Sequence, residues 1–112
     1  MGISTHILDT TRGKPAHGVV ITLSHWDGSD FALVGAGTTD KDGRVKALLP
    51  DGAPTVVGQY RILFQVAPYF ARLDLDSFYP SISIDFTVTS AAENYHVPLL
   101  LNPFGFSTYR GS

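Results

Sequence analysis

Four histidines, one arginine beside a turn, and the C-terminal Tyr109-Arg110-Gly111-Ser112 are the residues of this chain whose types could do chemistry. An imidazole titrates near neutrality and can take a proton from water. A guanidinium offers a planar fork of donors to an electron-rich ring or a developing oxyanion. The last four residues put a phenol, a guanidinium, a hydroxyl and a free carboxylate side by side. Taken alone, that ending reads as a polar, solvated terminus.

Strand phase changes the reading. Residues 95–112 (YHVPLLLNPFGFSTYRGS) describe two strands joined by a tight turn at Asn102-Pro103. Side chains in a strand alternate faces. Val97, Leu99 and Leu101 therefore share one face, and His96, Pro98 and Leu100 the other. In the last strand Phe104, Phe106 and Thr108 oppose Ser107 and Tyr109. With the Val/Leu and Phe faces packed inward, His96, Ser107 and Tyr109 project together from the outer side.

The remaining candidates divide. His17 stands beside Gly18 and His25 beside Trp26 near a turn, so both are expected at the surface. His6 sits mid-strand on the face opposite Ile3, Thr5 and Ile7, and it shares that face with Leu8. His96 likewise shares its face with Leu100. Apolar outer faces that carry polar groups suggest a subunit interface with a site in it, which leaves these two histidines as site residues or as plain interface polar groups. Arg44 follows Asp42-Gly43, and by itself it reads as a solvated turn arginine. Ser107 lacks the Gly-x-Ser-x-Gly context of a nucleophile, and few carboxylates lie near the histidines in sequence, Asp9 among them. Two histidines could ligate zinc, but no third ligand is evident.

The elements that must hold these groups are mostly strands. Runs over 2–9, 17–26, 31–39, 45–49, 59–66, 81–89, 95–102 and 104–109 are separated by turn signals such as Asp27-Gly28 and Asp42-Gly43. Gly35 and Gly37 weaken the third run or mark a bulge. Residues 68–76 lack a period of two, and Tyr69, Phe70 and Leu73 with Pro68 in a first turn predict a short helix. Eight strands at spacings of about ten residues, with one helix, predict an antiparallel β-sandwich.

Composition narrows the function. At 112 residues the chain is expected to be one domain. Only 16% of residues are charged, below the ordinary ~25%, which suggests a surface partly covered by other subunits. The net charge of −2 with no basic run argues against nucleic acid as a partner. The chain contains no cysteine, so thiolate catalysis and disulfides are excluded. No apolar stretch approaches the ~18 residues of a membrane span. Strand-like sequence follows Met1 at once, leaving no room for a signal peptide, and a cytoplasmic location is the default expectation.

The opening Ser4-Thr5-His6-Ile7-Leu8-Asp9 with Gly13-Lys14-Pro15-Ala16, and the close from His96 to Thr108, resemble the transthyretin-like family. The terminal Tyr109-Arg110-Gly111-Ser112 is similar to the tetrapeptide of the 5-hydroxyisourate hydrolases within it, which vertebrate transthyretins lack. Asp42-Gly43-Arg44 and Phe78-Tyr79-Pro80 extend the likeness along the chain. Asn94 departs from the histidine many relatives carry before Tyr95-His96, and Asn102 from a common serine. The resemblance implies an eight-stranded transthyretin-like sandwich, a homotetramer with sites at the dimer–dimer interface, and no cofactor. It implies hydrolytic opening of the six-membered ring of 5-hydroxyisourate, a small-molecule substrate. The polar set it transfers is His6, Arg44 and His96 as catalytic residues, with Tyr109, Arg110 and Ser112 against substrate, to which strand phase adds Ser107. The competing expectation is a non-catalytic carrier of a small hydrophobic ligand in the tetramer channel.

Overall fold

The computed structural model describes residues 2–112. Nine strands and one helix follow in order: β1 (Ile3–Asp9), β2 (Lys14–Pro15), β3 (Val20–Trp26), β4 (Phe31–Thr38), β5 (Arg44–Val45), β6 (Gly58–Gln65), α1 (Val66–Ala71), β7 (Ile82–Val88), β8 (Tyr95–Asn102) and β9 (Gly105–Thr108). They form two sheets. One runs β2-β1-β8-β9, with β5 also paired to β1, and the other runs β4-β3-β6-β7. Between them Ile3, Ile7, Leu99 and Leu101 meet Ile21, Leu23, Ile62 and Phe64, all buried. The fold is an all-β sandwich. No helix among the described residues is long and apolar enough to cross a membrane.

Alternation in β1 is complete: Ile3, Thr5, Ile7 and Asp9 are buried, while Ser4, His6 and Leu8 are half-buried on the outer face. β8 follows the same rule at Tyr95, Val97, Leu99 and Leu101. These two strands lie side by side and parallel, Ser4 opposite His96, His6 opposite Pro98 and Leu8 opposite Leu100. Among the described residues all other strand pairs are antiparallel, as expected of the sandwich. Spacing along a chain counts strands but does not give their pairing, and strands this far apart in sequence are free to run either way.

Other expectations need correction. The helix covers Val66–Ala71 rather than 68–76. Beyond it the Leu73, Asp74 and Leu75 amides donate back to Phe70 and Ala71 carbonyls, and Asp74 takes φ 57°. A left-handed residue of that kind closes a helix, so Leu73 and Asp76 belong to the turn. The strand expected over 45–49 is the two-residue β5, and Lys14–Pro15, expected as loop, forms β2. Phe104 does not pack into the core: it sits in the β8–β9 turn and is 68% exposed. Phe106 lies opposite Leu101 on the inward phase. At the end of the sheet it is covered edge-on by Tyr79, 5.4 Å between ring centroids, and stays exposed. His25 is not a surface residue. It is half-buried, its ring is 4.5 Å from that of Tyr60, and its Nε2 is buried without a partner. The bulge foreseen near Gly35 appears as a register shift between Leu23 and Ser24 against β4.

Candidate active site

The outer face of the β5-β1-β8 strands carries a hollow of about 530 Å³, lined by Ser4, Arg44, Lys46, Asn94, His96 and Ser112 among others. Each arrives there for a local reason. Ser4 and His96 are register neighbours on adjacent strands, and Ser4 Oγ lies 2.8 Å from His96 Nδ1. Arg44 is delivered by the turn before it. Asp40 Oδ1 accepts from the Asp42 and Arg44 amides at 2.9 and 3.0 Å. The Arg44 N–H is the chief cause that holds the Asp40 carboxyl below its usual range. Gly43 has φ 75°, and a Cβ there would stand 2.5 Å from the Ile7 carbonyl oxygen. Only glycine fits both demands. The Ile7 amide then donates to the Gly43 carbonyl at 2.8 Å, and His6 pairs with Arg44.

The tail divides. The Gly111 amide donates to the His96 carbonyl at 2.8 Å, bridging the two residues antiparallel. A Cβ on Gly111 would meet His96 Cδ2 at 2.6 Å and Pro98 Cγ at 3.1 Å. The chain end thus lies flat on the imidazole and brings Ser112 into the hollow. Tyr109 and Arg110 line an adjoining recess of about 260 Å³ with Ile84, Phe86 and Val97, and His96 lines both hollows. The Arg110 guanidinium stacks 4.5 Å over the Tyr95 ring and donates to Glu93 at 3.2 Å. Ser107 pairs with Leu100, farther along the face, and is exposed. His6 does not line the hollow, but it stands between Arg44 and Pro98 on the same face. Pro98, expected as part of an exposed apolar strip, is buried beside the tail.

Electrostatics favour a neutral His96. Desolvation, then the charges of Arg44 and His6, lower its pKa below the ordinary histidine value. Each of the three disfavours imidazolium. Asp9 takes no part here. It is fully buried, accepting from the Tyr69 hydroxyl at 2.7 Å and from the Thr11 and Arg12 amides. Among the described residues no three His, Cys, Asp or Glu side chains gather closely enough to hold a metal ion.

Two lining residues had escaped the sequence reading, Ser4 and Lys46. Strand phase could have found both: Ser4 shares phase with His6, and Lys46 lies two residues beyond Arg44, which the resemblance alone had singled out. Asn94 holds the edge of the hollow, accepting from the Gly2 amide through Oδ1 at 3.0 Å.

The fold agrees with comparison to known proteins. The sequence profile of the HIUase/Transthyretin family matches residues 3–111, and the chain belongs to that family. Among its relatives, the 5-hydroxyisourate hydrolase of Salmonella typhimurium is 46% identical over 110 residues, covering 98% of this chain and 80% of the relative. The 5-hydroxyisourate hydrolase 2 of Rhizobium meliloti is 40% identical over 114 residues, with 98% and 95% covered. In structure, Klebsiella pneumoniae 5-hydroxyisourate hydrolase superposes with a TM-score of 0.86 at 35% identity, each chain covered in full. Sea bream transthyretin in complex with thyroxine reaches 0.88 over 99% of this chain and 95% of its own at 24% identity, a likeness of fold alone.

Proposed function

We propose that this chain is a hydrolase that opens the six-membered ring of 5-hydroxyisourate, giving 2-oxo-4-hydroxy-4-carboxy-5-ureidoimidazoline in urate breakdown. The observation that carries the reading is the outer hollow, where an imidazole biased towards neutrality stands with a guanidinium and an ammonium. Relatives named for that activity, at 40–46% identity over 98% of the chain, support it.

His96 is the general base in this reading. Ser4 engages Nδ1, which leaves Nε2 free. In the tautomer protonated at Nδ1, that N–H donates to Ser4, and Nε2 takes a proton from water as its oxygen attacks a ring carbonyl. The ring C–N bond then breaks, the carbonyl carbon becomes a carboxylate, and the released nitrogen takes up the proton. His6 shuttles protons from the same face. Arg44 orients the ring and stabilises the oxyanion that develops. Lys46 adds a second positive charge for an electron-rich, urate-like ring. Ser112 contributes a hydroxyl and the terminal carboxylate at the mouth, Tyr109 and Arg110 close the adjoining recess beside His96, and Ser107 lies farther along the face. No step calls on a cofactor. A carrier of hydrophobic ligands would have little use for a hollow lined by these charges and hydroxyls.

The working unit is a homotetramer in the cytoplasm, each copy a single transthyretin-like domain over residues 1–112. Its outer faces meet over Leu8 and Leu100, the half-buried apolar pair on that side. Ultraviolet decay of freshly generated 5-hydroxyisourate, with and without the protein, tests the activity. His96→Ala and His6→Ala are each expected to lose about 10²–10⁴-fold in turnover, while the exposed His17→Ala keeps full rate. Decay no faster with the folded protein than without it would end the proposal. A dead but folded His17→Ala would move the site off this face.

A further inference from the structure

A second hollow, of about 360 Å³, opens where β2 meets the residues around α1, and it is lined by Arg12, Lys14, His17, Lys41, Tyr69 and Arg72 among others. Four of the chain's eight Lys and Arg residues converge there, in a protein whose net charge is −2. No carboxylate lines it. Two of the other cations are in ion pairs: Arg61 bonds Asp85 at 2.7 Å and Arg110 bonds Glu93 at 3.2 Å. Among the described residues, no hydrogen bond or ion pair holds the ammonium groups of Lys14 and Lys41.

The two arginines are held in place by neutral partners. Arg72 Nη2 donates to the His17 and Gly18 carbonyls at 3.3 and 3.1 Å, with the guanidinium 5.9 Å over the Tyr69 ring. Arg12 Nη1 donates to the Tyr69 hydroxyl at 3.4 Å. Burial first, then its bond to Asp9, pushes the Tyr69 phenol up to about 12, so it stays uncharged near neutral pH. The one carboxylate beneath, Asp9, is fully buried and occupied by Tyr69 and two loop amides. Like charges gathered without a counterion repel one another, and a bound anion relieves that repulsion. Lys14 lies opposite Asp9 in the β1–β2 register and shares its inward phase, away from the outward phase of Ser4 and His6. The hollow is therefore separate from the proposed active site.

We propose that this hollow binds a small polyvalent oxyanion. Planar guanidinium donors and mobile ammonium charges suit phosphoryl oxygens or clustered carboxylates alike, and the volume admits a small molecule. The site stands independently of the hydrolase reading.

Amide shifts of the full chain, followed by NMR during titration with inorganic pyrophosphate and separately with citrate at constant ionic strength, test it. Saturable shifts at residues 12–18, 41 and 69–73 are expected. The double variant Lys14→Ser/Lys41→Ser should bind about tenfold more weakly, the sum of two exposed charge contacts. Lys46→Ser should bind as the parent does. Tighter binding of pyrophosphate assigns a phosphoryl ligand, and tighter binding of citrate a polycarboxylate. Shifts without saturation, or unchanged affinity in the double variant, would overturn the site. Loss of affinity in Lys46→Ser alone would also overturn it, by placing the anion in the outer hollow.

Discussion

At the scale of single residues the proposed chemistry rests on the protonation state of His96. Its pKa is lowered by burial, Arg44 and His6, so the neutral base persists to lower pH than an ordinary histidine would allow. Activity should fall only below the usual value of about 6.5. Replacing Arg44 by Gln removes one of the charges that disfavour imidazolium. The His96 pKa then rises, and the acid limb of kcat/KM should move to higher pH, alongside the drop in rate from the lost oxyanion contact. A pH–rate profile of the folded Arg44→Gln variant checks the sign. A limb moving to lower pH would show that His96 is not the titrating base. The same shift acts on stability. A histidine depressed in the folded state binds fewer protons there than when unfolded, so its contribution is present above the unfolded value and is lost as pH falls through the lowered one.

At the scale of elements, the terminal segment after β9 decides the shape of the site. It is tied down by the Gly111–His96 backbone bond, the stack of Arg110 on Tyr95 and an exposed ion pair to Glu93. The ion pair contributes little. Removing Tyr109 to Ser112 should therefore cost about 1–3 kcal/mol of stability, leaving the buried core of β1, β3, β6 and β8 intact. Turnover should be lost, because the hollow would open to water beside His96. Gly111→Ala separates the two roles of the tail. Its Cβ would stand 2.6 Å from His96 Cδ2, so either the imidazole turns off Ser4 or the tail lifts. Circular dichroism melts together with turnover check this: a nearly unchanged melting temperature with rate reduced at least about tenfold is expected, given how steeply rate depends on such placement. Full activity in Gly111→Ala would show that contact of the tail with the imidazole is dispensable.

At the scale of the whole molecule, one chain presents an outer face whose polar hollow is flanked by Leu8 and Leu100, both half-buried. The apolar strip is narrower than the sequence suggested, since Pro98 is already covered by its own tail. Light scattering at micromolar concentration should give four times the 12.1 kDa of one chain, and Leu100→Glu should dissociate the assembly by placing a charge in an apolar contact. A monomeric wild type with full turnover would remove both the tetramer and any shared site.

Alternation in residues 3–9 and 95–101 was enough to set the outward phase of His6 and His96 and the inward phase of the Ile, Val and Leu residues, because a strand's period of two is local geometry. The turn glycine before Arg44 and the all-β class were legible for the same reason. What lay outside the reach of the sequence depends on which segments become neighbours. The parallel register of β1 on β8 is what sets Ser4 against His96. The pairing of β5 with β1 turns Arg44 from a solvated turn residue into a neighbour of His6, with Lys46 following on the same face. The tail separates by the same logic: strand phase grouped Ser107 and Tyr109 with His96, and Tyr109 lines a recess with His96 beside β7, whereas Ser107 lies along Leu100. Phase follows from the covalent chain, whereas adjacency follows from how the two sheets close on their core, and that only the tertiary structure decides.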